Sequence, residues 1–280
     1  MNIPEKTISC SCKNQSPAKL TAQECYIRDH HRHHHLITTF RILIFAVFLI
    51  IWEAAGRFGL IDTFFFSSPS MVASYFIQML TDGSFFTHTG ITLMETLISF
   101  LLITLISMFA ATLLWYSKTL SEILEPYLVV LNSLPKSALA PLFIVWLGTG
   151  TNTIIVAGIS VAIFGSVISL YTGFKHTDPE KLKLIFTLGG KPMDAFFKVV
   201  LPASIPIILS NMKVNIGLAL VGVIIGEFLA ARRGLGYLII YGSQVFKLNM
   251  VITSIIILCM IAMGLYQGIQ YLEHLYKKKK

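Results

Sequence analysis

Charge is scarce in this chain. Only 13% of its 280 residues are Asp, Glu, Lys or Arg. A soluble domain of this length would cover its surface with far more, so soluble classes are excluded. Cysteine is scarce too. Cys10, Cys12 and Cys25 lie in a polar N-terminal stretch and Cys259 in the last apolar run, which is no disulfide framework. Free thiols of this kind suit a reducing compartment. No G-x-x-x-x-G-K-S/T phosphate loop is present, because Gly190-Lys191 is followed by proline and lacks the earlier glycine. A clustered His/Asp/Glu constellation in or beside a span, which a membrane enzyme needs, is also missing. No catalytic residue, cofactor or metal site is expected. Nor is a cleavable signal expected, since the first apolar run starts near residue 36 and outruns a signal core.

What is abundant is apolar sequence. Hydrophobic residues make up 55% of the chain and the mean hydropathy is +0.73. A helix needs about 20 mostly apolar residues to cross a bilayer. Six segments meet that need: 37–57, 91–115, 123–147, 153–173, 205–230 and 250–272. The stretch 70–80, "SMVASYFIQML", has Met71, Tyr75 and Met79 at helical spacing and reads as a short helix on the membrane surface. The expected fold class is thus all-α integral membrane, with six transmembrane helices and a polar N-terminal tail.

An even number of spans puts both termini on one side. Lys and Arg gather on the cytoplasmic side of spans. With both termini inside, seventeen of them fall inside, against Arg57, Arg232, Arg233 and Lys247 outside, with Lys136 inside a span. The termini are therefore expected in the cytoplasm, and so is the long polar segment 174–204. This topology accounts for the net charge of +8 without any nucleic acid. Residues 1–36 form a His-rich polar tail, 37–275 the membrane domain and 276–280 a basic cytoplasmic end. The tail carries "DHHRHHH" at 29–35. Its spacing with the upstream cysteines fits no tight Cys/His module, so it reads as a disordered basic tail rather than a metal site.

The segment 174–204 has legible local grammar. Asp178 suits an N-cap, Pro179 the first helical position, and Glu180 the positive end of the helix dipole. Leu182, Ile185 and Phe186 share one face. Gly189 and Gly190 suit a left-handed C-cap. Pro192 starts a second helix with Asp194 in its first turn and Phe196, Val199 and Val200 on its apolar face. Pro202 and Pro206 are expected to interrupt the pattern before the next span. The result is a helix, a glycine turn and a helix. By pattern alone it is either a connector lying on lipid headgroups or a docking surface for a soluble partner.

The segment resembles the cytoplasmic loop of ATP-binding cassette importer permeases: Glu-Ala-Ala, three residues, Gly, nine residues, Ile, any residue, Leu-Pro. Gly189 and Leu201-Pro202 match that spacing. Val199 stands at the isoleucine, and Lys183, Leu184 and Ile185 stand where Glu-Ala-Ala would be. "LNSLPKSALAPLFIVWLGTG" (131–150), "GEFLAARRGLGYLIIYGSQVF" (226–246) and "PSMVASYF" (69–76) are similar to segments of the nitrate, sulfonate and taurine branch, which includes permeases for pyrimidine precursors of thiamine. The resemblance covers roughly residues 40–275, in order. It implies a multi-pass subunit in the cell membrane that does no chemistry itself. It implies a permease homodimer, two copies of a separate ATPase subunit, and an extracytoplasmic solute-binding protein that largely selects the solute. It places ATPase docking on Leu188, Gly189, Gly190, Lys191 and Pro192, flanked by Ile185, Phe186 and Phe196 and closed by Leu201 and Pro202.

Other residues carry two readings each. Lys136, between Pro135 and Pro141, either lines the translocation path for an anionic solute or lies near the cytoplasmic mouth and reaches water. Gly222 and Gly226 either pack helices closely within the chain or meet a second copy. Glu53, Glu95 and Glu227 read as interface positions at the outer ends of spans. An ion-coupled secondary transporter or channel is the rival class. It would need ionisable residues at mid-membrane, where Lys136 is the one candidate, and often inverted repeats, of which none is evident.

Overall fold

The structure is a computed structural model that describes residues 22–59, 61–62 and 66–278. Among them every regular element is helical. The chain forms two compact units, Met1–Ala55 and Gly56–Lys280. In the first unit, helix α1 (Ala22–Arg57) begins well ahead of the expected span. It takes in the histidine run that the sequence reading gave to a disordered tail. Extending an existing helix is cheap once its first turns have formed, and this stretch adjoins a strongly apolar one. Cys10 and Cys12 lie outside the described residues.

The second unit holds the rest. Helix α2 (Pro69–Thr81) is the short helix expected at 70–80. Its N-cap Ser68 accepts a hydrogen bond from the Met71 amide, and Pro69 takes the first turn, where an amide has no partner to lose. Helix α3 (Ser84–Tyr116) starts seven residues before the expected span. Helix α4 (Lys118–Ser133) and helix α5 (Lys136–Leu147) replace the single third span expected over 123–147. They meet at 95°. Pro135 lacks an amide and crowds the residue before it, and Leu134 accordingly sits at φ −64°, ψ 139°, an extended conformation that ends the helix.

Helix α6 (Thr151–Lys175) runs to helix α7 (Pro179–Thr187) and the short helix α8 (Pro192–Ala195). A π turn over Phe196–Val200 joins α8 to helix α9 (Leu201–Ala230). Pro202 and Pro206 do not interrupt the chain here, contrary to expectation. The π turn offsets the ladder, with the Leu201 amide bonding to the Phe196 carbonyl, and Pro202 falls in the first turn of α9. Helix α10 (Leu235–Gln244) is too short to span, and helix α11 (Leu248–Lys278) ends the unit. Among the described residues five helical stretches are long and apolar enough to cross a membrane: Thr39–Arg57, α3, α6, Pro192–Ala230 and α11. The bent pair α4 and α5 makes a sixth if counted as one span.

The core of the unit is the antiparallel pair α6 and α9. Lipid tails are as apolar as leucine, so helices associate in membranes by close packing and by internal hydrogen bonds. Both occur here. A Cβ built on Gly222 would lie 2.8 Å from the Cα of Gly158 and 3.0 Å from the Ala157 carbonyl oxygen. One on Gly226 would lie 2.9 Å from the Cα of Ile154. The small-residue pair thus packs within the chain, backbone against backbone. Midway along the seam Ser166 donates to Ser107 Oγ at 2.9 Å and accepts from the side-chain amides of Asn211 (2.7 Å) and Asn215 (2.9 Å).

Gly222→Val should therefore force α6 and α9 apart. Overpacking of this kind costs about 1–3 kcal/mol. The expected result is a lower thermal midpoint of the detergent-solubilised protein. Gly217→Ala, with open space at its Cβ position in mid-helix, should not lower the midpoint.

Candidate functional site

Three groups of residues depend on this seam. The first stands where α6 ends. The Asp178 side chain caps α7 by accepting the Glu180 amide at 3.0 Å. Past the last turn Gly189 adopts φ +79°, a left-handed conformation that favours glycine. Its amide bonds to the Phe186 carbonyl at 3.0 Å, and that of Gly190 to the Ile185 carbonyl at 2.9 Å. This pair of bonds is a Schellman C-cap. A Cβ on Gly190 would sit 2.6 Å from Ile185 Cγ2, so the second glycine is required by space rather than by angle. Asp194 then accepts the Lys191 amide at 2.9 Å and starts α8.

The turn is apolar at its tip and anchored at its base. Leu188 is 76% exposed, and Leu184, Phe186, Met193 and Phe197 are exposed around it. Lys191 and Pro192 are exposed, Ile185 is half-buried, Leu201 is half-buried and Pro202 exposed. Phe196 differs from the other flanking residues. It is 4% exposed and packs its ring on Trp115 and Phe174, with centroids 5.3 and 5.5 Å away. Phe196 and Val200 thus join a core cluster with Ala111 and Leu114 of α3 and Val167, Leu170 and Phe174 of α6. The period-3.6 pattern shows an apolar face but not which of its members turn inward. Leu184, Met193 and Phe197 were not among the expected tip residues for the same reason.

The second group is a groove of about 460 Å³ on the seam, lined by Ser166, Ser169, Ser210, Asn211 and Asn215 among others. All five are neutral hydrogen-bonding groups set within helices of spanning length. The break between α4 and α5 lies beside it. Asn132 Oδ1 is 3.2 Å from the Cβ position of Gly165, which also lines the groove. Lys136 is half-buried at the start of α5 and its ammonium donates to the Asn132 carbonyl. That carbonyl is one of those a helix end leaves unpaired. Pro135 is the residue of the break and Pro141 lies inside α5.

The third group lies at the opposite end, where α6 begins and α9 ends. Glu227 is fully buried and Glu95 is 2% exposed. Neither is an interface residue, contrary to expectation. Thr92 donates to Glu227 Oε1 at 2.6 Å, and the Gly236 amide donates to Oε2 at 2.5 Å. The Leu235 amide donates to Thr92 Oγ1 at 2.9 Å, and the Gly234 amide to His88 Nδ1 at 3.0 Å. Glu227 therefore pins the turn 231–236 onto α3. Gly234 has φ +118°, and a Cβ there would collide with the Glu227 carboxylate. The "RGLG" stretch carried this signal: glycines flanking a buried acid leave room for its oxygens.

The helical bundle is shared by known proteins. The family model for binding-protein-dependent transport system inner membrane components matches residues 103–272. The chain belongs to that family. Its relatives include a protein of Haemophilus influenzae named Probable ABC transporter permease protein. The two are 31% identical over 234 residues, which cover 83% of this chain and 94% of the relative. The taurine transport system permease protein of Escherichia coli is 25% identical over 84% of this chain and 87% of its own length. The formylaminopyrimidine transport permease protein of Halalkalibacterium halodurans is 27% identical over 70% of this chain and 77% of its own. Among solved structures, a methionine ABC transporter in inward-facing conformations aligns with a TM-score of 0.58 at 18% identity. It covers 65% of this chain and 91% of that one, and shows the shared fold. The permease is thus a multi-pass cell membrane protein and a transport subunit rather than an enzyme by itself.

Thr92→Val tests the third group. It removes the donor to Glu227 and the acceptor of the Leu235 amide while keeping the shape. Leaving buried polar groups unpaired costs about 1–3 kcal/mol. Hydrogen exchange at Leu235 and Gly236 should speed up, while exchange near Gly189 should not change.

Proposed function

We propose that the permease is the membrane subunit of an importer that moves a small anionic solute inward, powered by separate ATPase subunits. The solute class is that of nitrate, sulfonates, taurine or thiamine-pyrimidine precursors. The observation that carries the reading is the turn at Gly189. It exposes a cluster of large apolar side chains at its tip, yet its base is locked into the core by Phe196. An exposed apolar cluster of this kind suits a partner's groove. A force applied at the tip reaches α3 and α6 through packed rings. The working assembly is a permease homodimer with two ATPase subunits and an extracytoplasmic solute-binding protein. Both termini and the Gly189 turn face the cytoplasm, as the lysine and arginine distribution supports. The groove on α6 and α9, which mixes serines and asparagines with apolar residues, lies along the path, and Lys136 beside it favours an anion. The rival of an ion-coupled transporter is not favoured, since the family comparisons point to an importer subunit.

Gly189→Glu should abolish both co-purification with the ATPase and uptake, while the protein still inserts. Gly189→Asn tolerates the left-handed conformation and should be milder. Normal co-purification and uptake by the glutamate variant would overturn the docking assignment.

Topology is tested with a Thr149→Cys variant lacking the native cysteines. An impermeant thiol reagent should label it in intact cells. Labelling only after lysis would reverse the orientation.

A further inference from the structure

Neither the Gly189 turn nor the groove uses the two buried acids, Glu95 and Glu227. Glu95 is 2% exposed and Glu227 0%. The Glu95 carboxyl faces Glu227 and Thr151. Among the described residues neither acid forms an ion pair. Few other charges face them. Helix α3 adds His88, with Asp82 near it. The turn adds Arg232 and Arg233, both exposed, and α10 adds the half-buried Tyr237. From α5 into α6 there is no titratable residue between Lys136 and Tyr171, and α11 has none before Cys259. Two carboxylates facing each other away from water, without a counter-charge, repel and are poorly solvated.

The two acids differ in their hydrogen bonds. Glu227 Oε1 accepts from Thr92 at 2.6 Å and Oε2 from the Gly236 amide at 2.5 Å. An amide donates only, so Oε2 is an acceptor there, as a carboxylate oxygen is. Glu95 Oε2 is buried and has no partner. A charged oxygen in that place is costly, whereas a protonated one is neutral and becomes a donor. Each Glu227 oxygen has a second lone pair with which to accept it.

We infer that Glu95 and Glu227 form a proton-binding site, in which Glu95 is a neutral acid at pH 7 that donates to the Glu227 carboxylate, and that this proton holds the turn 231–236 closed on α3. Glu227 is the hub of that turn, through the Gly236 amide and through Thr92, which also accepts the Leu235 amide. With the proton in place one negative charge is shared among three donors. Its loss sets a second negative charge against the first. In the open turn water reaches both acids, and an ordinary carboxyl is ionised at pH 7. The closed turn therefore binds one more proton than the open one, and raising the pH favours opening. His88 acts with the opposite sign, because a protonated Nδ1 can no longer accept the Gly234 amide. An opening on the alkaline side thus reports the acids and not the histidine. The site is independent of the solute, the ATPase and the orientation in the membrane.

The test uses the full-length permease in lipid nanodiscs. Infrared spectroscopy should show the carbonyl stretch of a protonated carboxyl at neutral pH, and the band should vanish as the pH is raised. Hydrogen exchange is read at Leu235 and Gly236, corrected at each pH for the rate of an unfolded chain. Protection there should fall on the alkaline side by up to about tenfold per pH unit, the factor for one proton, while protection near Gly189 stays level. Glu95→Gln has the shape of the neutral acid. It should lose the band, keep the protection seen at pH 7 and hold it as the pH rises. Glu227→Gln offers one acceptor oxygen in place of two and should speed exchange in the turn about tenfold at pH 7. Absence of the band from the unaltered protein, or protection in it that does not change with pH, would overturn the site without recourse to any variant. So would a band that survives in Glu95→Gln, or equal exchange at pH 7 in the two glutamine variants.

Discussion

The close approach of α6 and α9 is the constraint on which the rest of the second unit depends. Within a bilayer no hydrophobic force drives two apolar helices together. They stay together because Gly222 and Gly226 let backbone touch backbone at Gly158 and Ile154, and because Ser166 ties Asn211 and Asn215 across the seam. A polar cluster in hydrocarbon is costly unless each member is bonded. The same cluster that would be a liability on a lone helix therefore fixes the register of the pair. With that register set, the two ends of the seam are placed as well. One end carries the Gly189 turn and the other carries Glu227.

Much of this was legible in the residues, and what was legible was local. Asp178, Pro179, Gly189 and Gly190 define a helix start and stop through bonds that reach no further than five residues. Ser68 and Pro69 do the same for α2. The break at Pro135 was missed, since 123–147 reads as one apolar span and the 95° turn depends on what packs around it. Pro202 was misread because a π turn leaves no periodic mark in the sequence, and Pro206 lies inside α9 without ending it. The cost of the π turn is met by the burial of Phe196 and Val200, which only the folded cluster reveals.

The acids at the other end were misread for a different reason. Glu227 is held by Thr92, which lies 135 residues earlier, and by Gly236, nine residues later across a turn. A glutamate near the end of an apolar run ordinarily reaches the interface, because water is within range of its side chain. Here the turn 231–236 folds over it and supplies the donors that water would have supplied. Gly234 and Gly236 make that possible, since a side chain at either position would occupy the space of the carboxylate. The motif is thus a pocket for an acid written as two glycines.

These elements form one mechanical chain. Phe196 sits at the base of the Gly189 turn and packs on Phe174 near the end of α6 and on Trp115 near the end of α3. Those two helices are the ones that carry Thr151 and Glu95 at the opposite end. Helices resist bending and sliding far more than loops do, because each turn is held by its own backbone bonds. On the proposed docking role, a displacement of the turn would reach α3 and α6 through the rings packed on Phe196. The contact between Glu227 and the amide of Gly236 joins a helix end to a turn that packs on α3 through Thr92 and His88. The Glu227 network ties α9 and its turn to α3, and the glycine seam ties α9 to α6, so α9 is held to both helices that pack on Phe196.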